Sequence, residues 1–517
     1  MLRSAAIRRA TLAGVGLTLF LISFAGANPP GAVSDEPDQY VKAVAAGHLN
    51  LLGTRVSTAE ARSMDYWVPA INRFLTSYPA FASLARSYTI PSSLDPRYLG
   101  CTVETILASC LDRAVPSIPT KTETVVSSVG SYPPFIYIPA GLVMRAASGT
   151  VAALLLGRLT FALVAALLLV GSLIVALRAR PGPLTVAFIL LCVGPTSALV
   201  MSTLNSSGPE SAAGIAWWIA LLAASEPKAP RGAWWLALIA GLVCGVARST
   251  GPAWLVLITV IVLMFRGPRA SWRAFRAGGR VAIAAVVVCV VAGVATLGWQ
   301  LAMQPGYQES LAPTLGSASP SMTGFILAHA VAVFGWGEAA PSPLLWQVWA
   351  LLVAGMLALG VGSALLRRAW REIAALVALC VAVLVVIAGF LALLSHAGMI
   401  QGRWFLAPLA GIPILAGWMA ATPAEVAGHE TSSRLVSSAV VIGTVVCLAV
   451  YWWLNEYRYA VGSGSLFFLG HSHWQPPLGW TPWVLCAALG LVALLYAGLS
   501  GPREANVAGG PAQIVLT

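Results

Sequence analysis

Long uninterrupted apolar runs constrain this chain more than any other feature of its sequence. A helix needs about 20 mostly apolar residues to cross the hydrocarbon core of a bilayer, and runs of that kind recur along the 517 residues. Only 9% of the residues are charged, against about 25% in soluble domains, so the chain cannot build a water-exposed surface. We predict an all-α, polytopic integral membrane protein with about twelve transmembrane helices and a large first extracytoplasmic loop.

The boundaries of the predicted spans follow the apolar runs. Three of them, 209–224, 233–247 and 253–265, are short, and the Gly, Pro or polar residues between them suggest a broken or re-entrant helix there. The predicted spans are 10–27, 151–177, 184–203, 209–224, 233–247, 253–265, 281–303, 343–366, 373–395, 405–421, 435–454 and 481–500.

The distribution of Lys and Arg predicts the orientation. With the N-terminus inside, the segments on the inner side collect most of the bases, including the run of arginines at 266–280, whereas the short outer loops keep only Arg248, Arg403 and Arg458. We therefore expect a multi-pass plasma-membrane protein with both termini cytoplasmic. The net charge of +12 follows from this asymmetry and from contact with anionic membrane lipids, so no nucleic-acid partner is expected.

Four regions follow from this topology. Residues 1–27 hold the N-terminal segment and first transmembrane helix, residues 28–150 the extracytoplasmic loop with interfacial helices and an acidic motif, residues 151–500 the multispan body, and residues 501–517 a cytoplasmic tail. The end of the first span imitates a signal-peptide cleavage site, but we expect the helix to be retained as an anchor.

Two cysteines, Cys101 and Cys110, lie in the polar loop. In an oxidising compartment they could form a local disulfide, and two free thiols are the alternative.

The acidic stretch that directly follows the first span is the most informative motif. Asp35, Glu36 and Asp38 lie within four residues, and the spacing of the apolar residues after them predicts a short helix along the membrane interface. One interpretation is an N-terminal helix cap, with Asp35 at the cap position. The other is a general base, because partial desolvation makes a carboxylate a stronger proton acceptor. The same oxygens could also hold a divalent cation.

The motif from Asp35 to Tyr40 resembles the D-E-x-x-Y motif of GT-C-type glycosyltransferases. The chain is also similar to an uncharacterised actinobacterial group of multispan proteins within that superfamily. The shared motifs in that group are D-E-P, Y-P-P, an N-P/E segment, R-x-x-G-P and Q-G-R. Here they correspond to Asp35-Glu36-Pro37, Tyr132-Pro133-Pro134, Asn205 with Pro209-Glu210, Arg248-Ser249-Thr250-Gly251-Pro252 and Gln401-Gly402-Arg403.

The resemblance implies a polyprenyl-phosphate sugar as donor, with Asp35 as the catalytic base and Glu36 in support. It also implies a cell-envelope acceptor and transfer with inversion. Asp38 and Tyr40, from the same motif, are candidates for substrate binding. Asn205 departs from the family pattern because Ser206 and Ser207 follow it, and the proline comes late.

Isolated arginines are the candidate phosphate ligands. Arg248 and Arg403 each lie near glycine in a predicted outer turn, where a guanidinium can bind a phosphate with two hydrogen bonds. Gln401 supplies a neutral donor beside Arg403. Arg158, inside a span, could either snorkel to the surface or pair with Asp35, Glu36 or a lipid phosphate.

Four further residues are weaker candidates for binding the donor or acceptor. Tyr132 belongs to a rigid turn before the second span and could stack on a sugar. Asn205 and Glu210 would share the outer face with the arginines, and His396 borders the turn that carries Arg403.

Two other function classes compete with the transferase. A transporter or flippase would fit the six spans on each side of the basic run and the helices broken by Gly and Pro. A scaffold for envelope assembly is the third possibility. The length of the first outer loop and the absence of charges at mid-span favour the enzyme.

Overall fold

The structure is a computed structural model that describes residues 2–33, 35–56, 84–100, 108, 121–303, 320–331, 343–394, 400–422, 429–462 and 467–500. The helices in these ranges, in chain order, are α1 (Leu2–Ala27), α2 (Glu36–Gly47), α3 (Tyr137–Met144), α4 (Thr150–Ala179), α5 (Pro183–Cys192), α6 (Pro195–Met201), α7 (Ser207–Ala224), α8 (Ala233–Ala247), α9 (Gly251–Arg266), α10 (Pro268–Met303), α11 (Pro320–Val331), α12 (Pro343–Leu366), α13 (Trp370–Leu394), α14 (Leu406–Leu409), α15 (Gly411–Ala420), α16 (His429–Val461) and α17 (Trp480–Leu499).

The helical membrane body predicted from the apolar runs is confirmed. Within the described ranges, eight helices are long and apolar enough to cross a membrane, or up to nine if a bent pair counts as one span. Every predicted span contains helix, but α8 and α9 have only 15 and 16 residues, short of the roughly 20 that a complete crossing needs. The protein therefore combines complete spans with shorter apolar helices.

The broken span lies earlier in the chain than the sequence analysis expected. The stretch predicted at 184–203 divides into α5 and α6, which meet at an angle of 72°. Gly194 and Pro195 stand at the break, and a proline at this position both removes a backbone donor and clashes with the preceding turn. The chain that follows this bend reaches the acidic motif, since the N–H of Leu204, just after α6, donates to Glu36 at 3.1 Å.

A small antiparallel sheet in the N-terminal polar segment was not predicted. It consists of β1 (Thr54–Arg55), β2 (Arg86–Pro91) and β3 (Thr122–Ser127), in the order β1-β2-β3, with Arg86 opposite Ser127. Side chains of β2 alternate between buried and more exposed positions, as a half-buried strand requires. The sheet packs against α2 and encloses one side of that helix.

The short helix predicted after the first span is confirmed, and its place along the membrane interface stays a prediction. Helix α2 covers Glu36–Gly47, and all of its residues are buried. It packs against α3 through Gly47 and Gly141, so the helix lies inside the protein instead of exposing one face. Its buried carboxylates consequently need partners from other parts of the chain.

Gly141→Ala is expected to destabilise the folded protein by about 1–3 kcal/mol, the usual cost of overpacking. A Cβ at Gly141 would come within 2.1 Å of the Ala43 carbonyl oxygen on α2, and backbone atoms cannot move aside. The matched control is Gly149→Ala, because a Cβ there meets nothing within 4 Å. Thermal unfolding in detergent should separate the two variants, and equal midpoints would contradict the close packing of α2 on α3.

Candidate functional site

Asp35 occupies the N-cap position of α2 but does not act as a cap. Its backbone is left-handed, with φ of 61°, and its side chain makes no capping hydrogen bond. Aspartate tolerates this region better than most residues, and such strain concentrates at functional sites. The capping interpretation is therefore wrong for Asp35. Its carboxylate forms an ion pair with Arg403 instead.

Arg403 lies on a 3₁₀ turn, Gly402–Phe405, that leads into α14. The Arg403 side chain is 5% exposed and the Asp35 side chain 23%. Arg403 is therefore buried, whereas Asp35 is partly accessible from outside the protein. Gly402 is needed for packing, since a Cβ there would approach Ala330 N within 2.2 Å. The glycine beside Arg403 thus seats the turn against α11.

Arg248 directly follows α8 and contacts both α7 and the turn that carries Arg403. Its guanidinium donates to Ser207 Oγ at 2.8 Å and lies 3.7 Å from Glu210 Oε2 at the start of α7. It also stacks over the ring of Trp404, the neighbour of Arg403, at 5.5 Å. Glu210 in turn accepts a hydrogen bond from Thr250 at 2.7 Å. These contacts fix the direction of the Arg248 side chain.

Tyr132 joins the two arginines to the acid. Its hydroxyl hydrogen-bonds Arg248, and the charges of Asp35 and Arg403 both act on it. Burial raises the pKa of Tyr132, and the two guanidiniums partly oppose that rise. We call Asp35, Tyr132, Arg248 and Arg403 the Asp35 cluster. Four distant parts of the sequence contribute to it, and all four residues had been selected from sequence.

Glu36, adjacent to Asp35, has a different environment. It is completely buried and forms a two-pronged ion pair with Arg158, at 2.8 Å from Nε to Oε1 and 2.5 Å from Nη2 to Oε2. Arg158 also donates to the carbonyls of Asn28 and Pro29, at 2.6 and 2.8 Å. Of the partners considered for Arg158, the structure selects Glu36. This pair ties α4 to the loop between α1 and α2.

Asp38 is the third acid of the motif and is also buried. Its Oδ1 accepts a hydrogen bond from Ser128 N at 2.6 Å, whereas Oδ2 has no hydrogen-bond partner among the described residues. Burial is the largest cause that raises the pKa of Asp38, the hydrogen bond from Ser128 lowers it, and the nearby charge of Asp35 raises it. Together these effects give a pKa of about 7. Asp38 therefore titrates near neutral pH.

Asp38→Asn should change how stability depends on pH. Since the folded-state pKa is about 7 and the reference value 3.8, the folded protein keeps a proton that the unfolded chain loses between these values. Asp38 thus lowers the free energy of unfolding as pH rises from about 4 to 7. The stability of the asparagine variant relative to wild type should rise by about 2–4 kcal/mol between pH 4 and pH 8. Denaturation in mixed micelles measures this, and a pH-independent difference would contradict it.

The remaining candidates from sequence are not members of the Asp35 cluster. Tyr40 is fully buried and donates to the carbonyl of Leu94 at 3.2 Å. The Asn205 side chain accepts a hydrogen bond from Ser207 N at 3.0 Å, which shapes the turn before α7. Gln401 precedes the turn of Arg403, and its buried Oε1 has no hydrogen-bond partner in the described part of the chain.

Three candidate residues, His396, Cys101 and Cys110, lie outside the described residues, so the disulfide stays a prediction. Among the residues that the structure describes, no three His, Cys, Asp or Glu side chains come together as a metal-ion site. The acids of the motif do not form such a site by themselves, and a divalent cation there also stays a prediction.

Comparison with known proteins places the chain in a family. The family described as "Predicted membrane protein (DUF2142)" matches residues 18–412. The chain belongs to this family. The match covers every member of the Asp35 cluster and ends before α16. No curated protein matches.

A solved structure, ArnT from Cupriavidus metallidurans in the apo state, is similar to this DUF2142 protein at 15% identity and a TM-score of 0.39. The likeness covers 71% of this chain and 66% of that one. A likeness with a TM-score of this size carries no inference about fold or activity. The family match agrees with the prediction of a multispan membrane protein.

Two residues of α2 that build the surroundings of the cluster in this DUF2142 protein were not among the candidates from sequence. Gln39 Oε1 accepts hydrogen bonds from Tyr137 at 2.9 Å and from Ser206 N at 2.7 Å. The buried Lys42 donates to Gly130 O at 2.6 Å and to Tyr88 at 2.8 Å, and burial lowers its pKa to about 7. A lysine inside an apolar helical stretch was the available signal.

A buried polar group on α16 was also missed, because residues from 455 onward had been assigned to an outer segment. Helix α16 continues to Val461, so Asn455 and Glu456 are helical and completely buried. Asn455 Nδ2 donates to Asn28 Oδ1 at 2.6 Å and to Glu456 Oε1 at 3.1 Å. An acidic residue next to an apolar run was the signal that could have revealed this group.

Proposed function

We propose that this DUF2142 protein is a membrane glycosyltransferase of the GT-C type. It would move a sugar from a polyprenyl-phosphate donor to a cell-envelope acceptor outside the cell, with Asp35 as general base. The observation that carries the proposal is the convergence of Asp35, Tyr132, Arg248 and Arg403 at one end of the helical body. A base beside two guanidiniums matches the needs of phosphate-leaving-group chemistry.

The ion pair between Asp35 and Arg403 is the state of the site without donor in this proposal. A polyprenyl-phosphate sugar carries one negative charge on its phosphodiester. That phosphate would compete with the Asp35 carboxylate for Arg403 and would take a second contact from Arg248. Release from Arg403 leaves Asp35, the more exposed partner of the pair, available to an acceptor hydroxyl. Donor binding would thus free the Asp35 carboxylate to act as the base.

The chemical step is a single displacement. The acceptor hydroxyl transfers its proton to Asp35 while its oxygen forms a bond to the anomeric carbon. The bond between that carbon and the phosphate oxygen breaks on the opposite side, and its electron pair stays with the leaving polyprenyl phosphate. Negative charge therefore grows on the phosphate in the transition state, where Arg248 and Arg403 stabilise it. The configuration at the anomeric carbon is inverted.

Glu36 and Arg158 have a positioning role in this proposal. Both hydrogen-bonding edges of the Glu36 carboxylate are used by Arg158, Gly31 N and Leu204 N. The pair holds the start of α2, and hence the backbone of Asp35, against α4. Asp38, with an unpartnered oxygen and a pKa of about 7, is the alternative proton acceptor.

The second candidate is a transporter or flippase of a lipid-linked or small-molecule substrate. The bent pair α5–α6 favours it, because discontinuous helices line substrate sites in many carriers. A carrier would move its substrate without changing any covalent bond.

The deciding experiment reconstitutes the protein in liposomes with polyprenyl-phosphate sugars that carry a radiolabel in the sugar. The transferase predicts label in a new covalent product and release of polyprenyl phosphate. A carrier predicts movement of intact donor across the bilayer. Translocation without product over the full donor panel would reject the proposal. Liposomes with the Asp35→Asn variant provide the control for contaminating transferases.

A further inference from the structure

A basic cavity lies at the end of the helical body opposite the Asp35 cluster. Helix α7 begins at Ser207, a partner of Arg248, and its 18 residues extend about 27 Å to Ala224 at 1.5 Å per residue. The cavity, of about 680 Å³, is formed there by the α7–α8 connection and the first part of α10. It is therefore separate from the proposed catalytic site and does not depend on the proposed function.

Three bases line this cavity without charge partners of their own. Lys228, Arg231 and Arg273 face it, and within the described residues none of their three side chains forms a hydrogen bond or ion pair. Glu226, the acid in the lining, is already neutralised. It pairs with Arg180 at 2.8 Å and with Arg266 on α9. The cavity consequently carries an excess of positive charge.

The shape of α10 places this cavity beside a hydrocarbon-facing surface. The helix is kinked at Gly279, where φ is 54° and ψ is −133°. Up to Arg280 the helix is rich in arginine, and beyond Arg280 the exposed side chains are apolar, such as Val286, Val287 and Val290. Trp234 packs on Gly278 and hydrogen-bonds the Ala274 carbonyl at 3.3 Å. Tryptophan at such a boundary is typical of the interface between headgroups and acyl chains.

We infer that this cavity, defined by Lys228, Arg231, Arg273 and Trp234, binds the phosphate headgroup of an anionic phospholipid. The bases supply the donors that a phosphate needs, and the apolar surface beyond Gly279 accommodates the acyl chains. Basic pockets between transmembrane helices are known to hold such headgroups. A soluble phosphate shares the headgroup chemistry but makes no use of the apolar surface.

The test measures binding of phosphatidylglycerol and phosphatidylcholine to the delipidated full-length protein by native mass spectrometry. The pocket variant is Lys228→Gln/Arg231→Gln/Arg273→Gln. Its matched control, Arg269→Gln/Arg276→Gln/Arg280→Gln, removes the same charge from exposed positions of α10 outside the cavity lining. At about fivefold per base, the pocket variant should bind phosphatidylglycerol on the order of 100-fold more weakly. The control should stay within about threefold of wild type, and wild type should prefer phosphatidylglycerol to phosphatidylcholine.

Three results would overturn the inference. Equal losses in the two triple variants would mean that only the general surface charge attracts lipid. Undiminished binding by the pocket variant, verified as folded by its unfolding temperature, would exclude the cavity. Displacement of phosphatidylglycerol by millimolar inorganic phosphate would assign the site to a soluble phosphate.

Discussion

Asp35→Asn should reduce sugar transfer by at least about 100-fold, since a positioned general base contributes about 10²–10⁴-fold to a rate. The substitution keeps the size of the side chain and removes its ability to accept the proton. Arg403 loses its counterion, so the donor phosphate meets less competition. We therefore expect kcat to fall while KM for the donor stays constant or decreases. Kinetics over a range of donor concentrations separate these two parameters.

The control for this variant is Asp95→Asn, which removes an acid from the same N-terminal segment. Asp95 pairs with Arg97 at 2.6 Å, away from the residues of the Asp35 cluster along the chain, and its loss should leave transfer within about threefold of wild type. Transfer that survives Asp35→Asn and disappears in Asp38→Asn would move the role of base to Asp38. Survival in both variants would exclude this motif as the source of the base.

Arg158→Met should destabilise the folded protein by about 3–5 kcal/mol, the cost of leaving one member of a buried ion pair without its partner. The side chains of Arg158 and Glu36 are 3% and 0% exposed. Three carbonyls, of Ala25, Asn28 and Pro29, would also lose a donor. The variant should accumulate poorly and unfold at a lower temperature in detergent.

Two comparisons give this prediction its specificity. Arg403→Met should cost less stability, because its partner Asp35 is partly exposed and can be solvated. The double variant Arg158→Met/Glu36→Leu should recover part of the loss, since no buried charge is left unpaired. If Arg158→Met unfolds at the wild-type temperature, or if the double variant is less stable than the single one, the pair does not hold α2 in place.

The D-E pair shows how far the sequence alone could predict the site. The motif indicated that both acids matter, and the resemblance selected Arg403, Arg248 and Tyr132. The resemblance gave Asp35 the role of base and Glu36 a supporting role, but it could not say which side chains the two acids contact. Successive residues at a helix start point about 100° apart, so Glu36 turns inward to Arg158, whereas the left-handed Asp35 turns to Arg403. That division depends on which helices pack beside α2, and a local pattern contains no such information.

The fold was predictable where local signals suffice. Apolar runs located the helices, because a span must satisfy its own backbone hydrogen bonds within the segment. The sheet was missed since β2 pairs with β3 across a long separation, with Arg86 opposite Ser127, and each strand has only six residues. The break between α5 and α6 was misplaced because Gly and Pro also occur at the ends of several other helices.

Buried polar residues were the hardest to predict. Lys42 and Glu456 are both completely buried, although charged residues are expected at surfaces. Lys42 becomes tolerable only because Tyr88 and the Gly130 carbonyl, distant in sequence, lie beside its ammonium group.

The central claim is that Arg248 and Arg403 bind the donor's phosphate next to Asp35. Cryo-electron microscopy of the protein with a non-transferable polyprenyl-phosphate sugar analogue tests this most directly. The account predicts the phosphate within hydrogen-bonding distance of both guanidiniums, the ion pair between Asp35 and Arg403 opened, and the Asp35 carboxylate facing the anomeric carbon. A phosphate bound elsewhere, with the Asp35–Arg403 pair still closed, would contradict it.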